Sequence, residues 1–115
     1  MTQDCIFCKI VTGEIPADIV YQDEQVTAFR DIDPQAPVHV LLVPNEHISS
    51  LGAVDNSNAE TLGHLMSVVS QIAQSEGIAE SGFRLVFNTG KDGGMAVHHL
   101  HGHILGGRQM GWPPG

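Results

Sequence analysis

The sequence predicts an α+β fold with a five-stranded antiparallel sheet and two helices. Two segments carry apolar residues at helical spacing, and five short segments between turn residues have the composition of strands. Hairpin-like spacing near both ends of the chain favours antiparallel pairing. The length of 115 residues suits one domain with one core. We therefore expect a single domain over residues 1–115, which includes a C-terminal tail at residues 106–115.

The first half of the chain is predicted to hold a short helix and three strands. The helix covers residues 5–13, because its apolar residues recur at helical spacing and Gly13 suits a C-terminal stop. Two strands follow at residues 18–23 and 25–31, joined by a tight polar turn. After a loop with two prolines, residues 38–43 form a nearly continuous apolar strand.

The second half is predicted to hold a longer helix and two more strands. Ser57 and Glu60 have the spacing of a capping box at the start of this helix, and Gly77 suits its C-terminal end. Strands at residues 83–88 and 97–105 follow, separated by a glycine-rich turn. The apolar face of the helix is formed by Leu62, Leu65, Met66, Val69, Ile72 and Ala73.

Charge and hydropathy exclude some classes of partner. The net charge is −8, and the chain has only five Lys and Arg residues. Proteins that bind the phosphate backbone of DNA or RNA normally carry a basic face. No apolar run approaches the roughly 20 residues of a membrane span. We therefore expect a cytoplasmic protein whose partner is a small molecule, with neither a nucleic-acid polymer nor a membrane as a partner.

Histidines alternate near the C-terminus, at His99, His101 and His103. In an extended strand these three side chains share one face, roughly 6.5 Å apart, while His98 faces the opposite side. Imidazoles in this pattern suit two kinds of chemistry. They can chelate a metal such as zinc, or one can attack phosphorus while its neighbours assist. Spacing alone leaves both interpretations open.

A family resemblance favours the second interpretation. The segment HLHGHIL at residues 99–105 resembles the signature of the histidine triad family. The most specific match is the tail LGGRQMGWPPG at residues 105–115, which resembles the branch that hydrolyses purine nucleoside phosphoramidates. Further segments similar to that branch are IFCKI at 6–10, AFRDI at 28–32, PQAP at 34–37 and GHLM at 63–66.

The resemblance implies roles for four histidines. His101 would be the nucleophile and would form a covalent nucleotidyl-histidine intermediate, with its second ring nitrogen donating to a backbone carbonyl. His103 would lie against the phosphate, and His99 and His39 would form a supporting hydrogen-bonded shell. The implied reaction is hydrolysis of purine nucleoside 5′-phosphoramidates, and of aminoacyl-adenylates, to the nucleoside monophosphate. It requires no cofactor.

The resemblance also implies a nucleotide pocket. Asp31 matches a residue that accepts hydrogen bonds from both ribose hydroxyls, although the residues alone equally indicate a turn former at a strand end. Asn88 matches a polar residue near the phosphate or ribose, and could equally cap a turn. The apolar residues that match the purine slot, and that spacing alone explains as ordinary core, are Ile6, Phe7, Ile10, Phe29, Ile32 and Leu41.

The resemblance further implies a homodimer with a sheet continuous across two subunits, in which Trp112 reaches the partner's active site. Two departures bear on activity. Met95 and Ala96 stand where the family commonly has Gln and Ser, which help to hold the phosphate and leaving group. Gly102 replaces an apolar residue, which suggests a close approach in the strand. An alternative function is therefore a purine mononucleotide sensor with vestigial catalysis.

The two cysteines, Cys5 and Cys8, have a C-x-x-C spacing. One interpretation makes them small core residues at the start of a helix. The other, implied by the resemblance, is a structural zinc site that they complete with His47 and His99. Two thiolates and two imidazoles suit tetrahedral Zn²⁺.

Overall fold

The computed structural model describes residues 4–115, and the predicted domain of residues 1–115 begins with residues 1–3, which lie outside this range. It confirms the α+β fold with two helices and one five-stranded antiparallel sheet. Two short 3₁₀ turns, Leu51–Ala53 and Asn56–Asn58, precede the second helix. The elements in chain order are α1 (Ile6–Thr12), β1 (Ile19–Gln22), β2 (Val26–Arg30), β3 (Val38–Pro44), α2 (Ala59–Ser75), β4 (Phe83–Phe87) and β5 (Gly102–Gly106).

The sheet order is β1-β2-β3-β5-β4, with every neighbouring pair antiparallel. Strand β5 therefore lies between β3 and β4. In this register Leu41 of β3 is opposite His103 of β5, and His39 is opposite Leu105. Because side chains alternate along a strand, His39, Leu41 and His103 share one face of the sheet.

The two faces of the sheet carry separate apolar clusters. Alternate residues such as Val40 and Leu42 pack beneath α2, whereas Leu41 and Val43 pack on the opposite face with α1. Helix α1 covers only part of its face because it has seven residues. The face that bears the histidines therefore stays partly open.

The predicted strand at residues 97–105 is wrong at its start, because β5 begins at Gly102. The pairing with β3 ends at Gly102, opposite Leu42. Before that point the backbone follows a loop, and the Leu100 N–H donates to the carbonyl oxygen of Ile48 at 2.6 Å. His99 and His101 thus lie on a bent segment, outside the strand. The close approach expected at Gly102 is confirmed, since an added Cβ would lie 2.9 Å from Cζ of Phe87.

The predicted capping box of Ser57 and Glu60 is also wrong. The chain enters α2 through the 3₁₀ turn Asn56–Asn58, so the box forms two residues earlier, between Asp55 and Asn58. The Asp55 carboxylate accepts from the Ser57 N–H at 2.8 Å. The predicted end of the helix is confirmed, because Gly77, with φ of +77°, follows the C-cap residue Glu76. Neither helix within residues 4–115 has the length and apolar composition of a membrane span.

Candidate active site

A cavity of about 640 Å³ lies between α1, the edge of β2 and the segment that leads into β5. Its wall includes all six residues of the predicted purine slot, together with Asp31, His101 and His103. Sequence reasoning missed part of the wall because it treated the stretch after α1 as a connection, where apolar spacing gives no signal. The lining residues missed in this way are Ile15, Pro16 and Ala17. Asp18, Arg30 and Val97 also line the cavity, but the sequence placed them in predicted strands and gave no sign that they face a site.

His101 is buried in the cavity wall and its tautomer is fixed by the backbone. Its Nδ1–H donates to the carbonyl oxygen of His99 at 2.7 Å. The ring of Phe7 packs edge-on against it, with the ring centroids 5.0 Å apart. A neutral imidazole that uses Nδ1 as a donor keeps its lone pair on Nε2. His101 therefore offers a nucleophilic nitrogen in a ring with restricted orientation.

His103 is oriented by a relay of hydrogen bonds that begins at the backbone. The Gln35 N–H donates to Nδ1 of His39 at 3.0 Å, so the neutral His39 carries its proton on Nε2. That Nε2–H donates to Nδ1 of His103 at 2.9 Å. His103 then carries its own proton on Nε2, and this buried atom has no hydrogen-bond partner within residues 4–115. The relay thus leaves an unsatisfied N–H donor in the cavity wall, 4.9 Å (ring centroids) from His101.

The environment of His103 keeps it uncharged. Burial, followed by the proximity of His101 and His39, lowers the pKa of His103 to about 4. Burial also lowers the pKa of His39, although the carboxylate of Asp31 opposes the shift. His103 is therefore neutral at neutral pH and can act as a hydrogen-bond donor through Nε2.

His99 does not line the cavity, whereas an extended strand would have placed its side chain on the same face as those of His101 and His103. It is completely buried, and its Nε2–H donates to the carbonyl oxygen of Pro44 at 2.8 Å. Burial lowers its pKa. The physical reason is the loop before β5, which removes the strict alternation of a strand. Only the His99 carbonyl oxygen acts on the site, through His101.

The Nδ1 of His99 belongs to a second cluster, formed with Cys5, Cys8 and His47. It lies 3.2 Å from the Sγ of Cys5, 3.5 Å from the Sγ of Cys8 and 3.2 Å from the Nδ1 of His47. A tetrahedral zinc with ordinary bond lengths would place its ligand nitrogens about 3.3 Å apart and its nitrogen and sulfur ligands about 3.6 Å apart. The donor set and its spacing fit zinc. These residues do not line the cavity, which disfavours metal catalysis.

A third group, Asp31, His39 and His103, also has atoms close enough for a metal. Here the hydrogen-bond relay already accounts for the 2.9 Å contact between the two imidazoles. Oδ1 of Asp31 accepts from the Asp33 N–H at 2.8 Å, and Oδ2 lies 3.4 Å from Nε2 of His39. The group is explained by hydrogen bonding, and the Asp31 carboxylate remains at the cavity wall.

Two of the residues predicted to bind the substrate lie outside the cavity wall. Asn88 does not line the cavity. Trp112 is 83% exposed, and its ring lies 5.9 Å from the guanidinium carbon of Arg84. Of the two departures from the family, Ala96 lines the cavity and Met95 does not. Tail contacts with a second subunit stay a prediction.

Most of the chain matches a known protein family. The sequence pattern described as the HIT domain matches residues 12–110. The chain belongs to the HIT domain family. It is 51% identical over 111 residues to the purine nucleoside phosphoramidase of Escherichia coli (strain K12), with 96% of this chain and 93% of that protein covered.

Solved structures of HIT proteins share the fold over almost the whole chain. The HIT family hydrolase of Legionella pneumophila superimposes with a TM-score of 0.95 at 50% identity, covering 97% of this chain and 100% of that one. The histidine triad protein of Clostridium difficile gives a TM-score of 0.93 at 44% identity, covering 96% of each chain. These likenesses confirm both the predicted family resemblance and the histidine triad fold.

Proposed function

We propose that this HIT protein is a hydrolase that cleaves purine nucleoside 5′-phosphoramidates through a covalent nucleotidyl group on His101. The observation that carries the proposal is the bond from Nδ1–H of His101 to the carbonyl oxygen of His99, which leaves Nε2 as the nucleophile. The nearby unsatisfied Nε2–H of His103 supplies a donor for a phosphoryl oxygen. The name of the Escherichia coli relative supports the same substrate class.

The cavity can divide the substrate into three parts. The purine packs on the apolar wall of the cavity, to which Phe7, Ile10 and Phe29 contribute. The Asp31 carboxylate accepts hydrogen bonds from the two ribose hydroxyls. The α-phosphate then lies against His101 and His103 at the other end of the wall. A volume of about 640 Å³ is within the range of small-ligand pockets.

In the first chemical step the Nε2 lone pair of His101 forms a bond to phosphorus while the phosphorus–nitrogen bond of the substrate breaks. The leaving nitrogen takes up one proton from water at the open side of the cavity and departs as the amine. The imidazole becomes positively charged, and the His99 carbonyl oxygen stabilises it through the Nδ1–H bond. His103 donates its Nε2–H to a phosphoryl oxygen.

In the second step water attacks the same phosphorus and the bond to Nε2 of His101 breaks. The water loses a proton to solvent, and His101 returns to its neutral form. The sum is one phosphoramidate and one water converted to one nucleoside monophosphate and one amine, in the two-stage course typical of nucleophilic catalysis. An aminoacyl-adenylate would follow the same course with a carboxylate as the leaving group.

Zinc enters this proposal as a structural ion and takes no part in either step. Cys5, Cys8, His47 and His99 would hold it, and bound zinc would supply a cross-link between α1 and the segments around residues 47 and 99. A cytoplasmic location, which stays a prediction, would keep the thiols of Cys5 and Cys8 reduced and able to bind zinc.

The test is the rate of AMP release from adenosine 5′-phosphoramidate. We expect multiple turnovers by the wild type and a loss of about 10⁴-fold or more in kcat/KM for His101→Ala, as for other nucleophiles that act within a unit. His98→Ala is the matched control, since His98 is an exposed histidine of the same segment and should leave the rate unchanged.

A purine mononucleotide sensor is the second candidate function, favoured by the apolar Ala96 in the cavity wall. The same experiment separates the two. AMP binding by calorimetry with no AMP release from the phosphoramidate would support the sensor and contradict the hydrolase.

A further inference from the structure

Helix α1 and its N-cap contribute both to the cluster of Cys5, Cys8, His47 and His99 and to the cavity wall, within one helical turn. Cys5 and Cys8 provide two of the four donor atoms. Ile6 and Phe7, which lie between the two cysteines in the sequence, line the cavity. The Cys8 N–H donates to the Sγ of Cys5 at 3.3 Å, which caps the start of the helix. Any change in the position of the two sulfur atoms therefore moves the wall on which a purine base would pack.

His99 connects the same cluster to the nucleophile. Its ring contributes Nδ1 to the cluster, and its carbonyl oxygen accepts the Nδ1–H of His101 at 2.7 Å. The ring is completely buried, so it cannot turn without disturbing its neighbours. The orientation of the nucleophile thus depends on a residue whose side chain is held in the cluster.

A third segment meets the cluster at His47. The next residue, Ile48, accepts the Leu100 N–H, so the chain around residue 47 also fixes the backbone between His99 and His101. Thiols are weak hydrogen-bond donors, and hydrogen bonds alone would hold these three segments loosely. Four bonds to one metal ion would fix all three at once.

We propose that the cluster of Cys5, Cys8, His47 and His99 is a metal-dependent brace that positions both the base-binding wall and the nucleophile His101. Zinc occupancy then controls nucleotide affinity through α1 and the reactive tautomer of His101 through the His99 carbonyl. Cys5, Cys8, His47 and the ring of His99 are positioning residues, since none of them lines the cavity. The turnover readout below rests on the proposed hydrolase function, but the other two do not.

The experiment compares zinc-loaded protein with the same protein stripped by a chelator. The first readout is the dissociation constant for AMP by calorimetry, and the second is the Nδ1–H resonance of His101 in protein labelled with ¹⁵N-histidine. We expect one zinc per chain, AMP binding about 10- to 100-fold tighter with zinc, and a protected Nδ1–H only in the loaded form. Equal affinity and an equal Nδ1–H signal in both forms would overturn the proposal, as would a failure to bind zinc.

Variants at His47 separate positioning from general stability. His47→Ala removes one donor without changing any residue of α1 or of the segment that carries His101, and should reproduce the stripped protein in zinc content, AMP affinity and Nδ1–H protection. His47→Cys supplies a substitute zinc ligand and should restore all three. His98→Ala is the control and should behave as wild type.

Turnover provides the last readout and is kept apart from the other two. In an active enzyme, weaker base packing raises KM and a loosened His101 lowers the rate of a single turnover, whereas partial unfolding lowers only the active fraction. If neither form hydrolyses the phosphoramidate, the hydrolase proposal fails, while AMP binding and the Nδ1–H signal still decide the brace. A His47→Ala protein that lacks zinc but keeps the wild-type AMP affinity and the wild-type Nδ1–H signal would contradict the brace and leave the hydrolase proposal standing.

Discussion

At the scale of single residues, each imidazole in the cavity wall is held in one tautomer by a partner on its other nitrogen. The carbonyl oxygen of His99 does this for His101, and His39 does it for His103, with the Gln35 N–H behind it. Both chains of hydrogen bonds begin at backbone groups, whose positions the fold fixes. The lone pair and the donor are therefore oriented before a substrate arrives, which is the condition for electrostatic preorganisation.

The low pKa of His103 predicts how stability depends on pH. In the unfolded chain this imidazole takes up a proton below about pH 6.5, but in the folded protein its pKa is lowered to about 4. Between these values the unfolded state binds more protons, so stability rises with pH and is lost as the pH falls through this window. Burial lowers the pKa of His39 and His99 as well, which adds to the same trend.

We expect the melting temperature of metal-free protein to fall steadily as the pH is lowered from about 6.5 to about 4. His103→Gln should show a shallower fall over the same range, because one buried imidazole has been removed. The exposed His98→Gln serves as the control and should follow the wild type. Parallel curves for wild type and His103→Gln would show that burial of this imidazole does not carry the effect.

The sequence predicted the histidines of the site, but not that His101 and His103 would line the cavity while the ring of His99 lies elsewhere. Alternation pointed to His99, His101 and His103 together, yet the ring of His99 joins the cysteine cluster. That division depends on the backbone bend before Gly102, where the Leu100 N–H donates to the carbonyl oxygen of Ile48, 52 positions away in the chain. The grouping of Cys5, Cys8 and His47 was implied only by family resemblance, because no local pattern links positions so distant in the chain.

At the scale of elements, the pairing of β3 with β5 brings His39 next to His103. The sequence predicted both helices and the cores of all five strands, since these depend on the local spacing of apolar residues. Errors fell at the ends of elements. The capping box was misplaced because the 3₁₀ turn Asn56–Asn58 precedes α2, and β5 was drawn too long because partner strands, which the sequence does not show, decide where a strand ends.

Glycine in β5 gives a prediction about packing. A Cβ added at Gly106 would lie 2.7 Å from Cδ1 and 3.0 Å from Cβ of Ile78, so the buried isoleucine would have to move. We expect Gly106→Ala to lower the free energy of unfolding by about 1–3 kcal/mol, measured by urea denaturation.

The matched control is Gly63→Ala in α2, where the added Cβ has no neighbour within 4 Å among residues 4–115. A glycine inside a helix is less favourable than alanine, so this change should stabilise the protein by about 0.5–1 kcal/mol. Effects of the same sign at both positions would contradict the account of Gly106.

At the scale of the whole molecule, strand β4 is an outer strand of the sheet, paired with β5 alone among the described strands. Its first residue, Phe83, is 38% exposed, and Met66 on α2 is 53% exposed although spacing placed it on the apolar face. An open strand edge that begins with a partly exposed aromatic side chain suits pairing with a second chain. We therefore keep the proposal of a homodimer whose sheet continues across the interface.

Sedimentation equilibrium tests the dimer directly. We expect a mass of twice the 12.3 kDa of one chain at micromolar concentration. Phe83→Glu, which places a charge at the start of β4, should shift the equilibrium towards the monomer, whereas a charge at the exposed Gln71 should not. A wild-type protein that sediments as a monomer at all concentrations would contradict the proposal.

The central claim is that Nε2 of His101 becomes bonded to the phosphorus of a nucleotide. Its most direct test is rapid acid-free quenching of a single turnover with adenosine 5′-phosphoramidate, followed by intact mass and peptide mapping. The account predicts a transient adenylyl group on the peptide that contains His101, formed before AMP appears and missing in His101→Ala. AMP release by the wild type with no such adduct, or with an adduct on another residue, would contradict it.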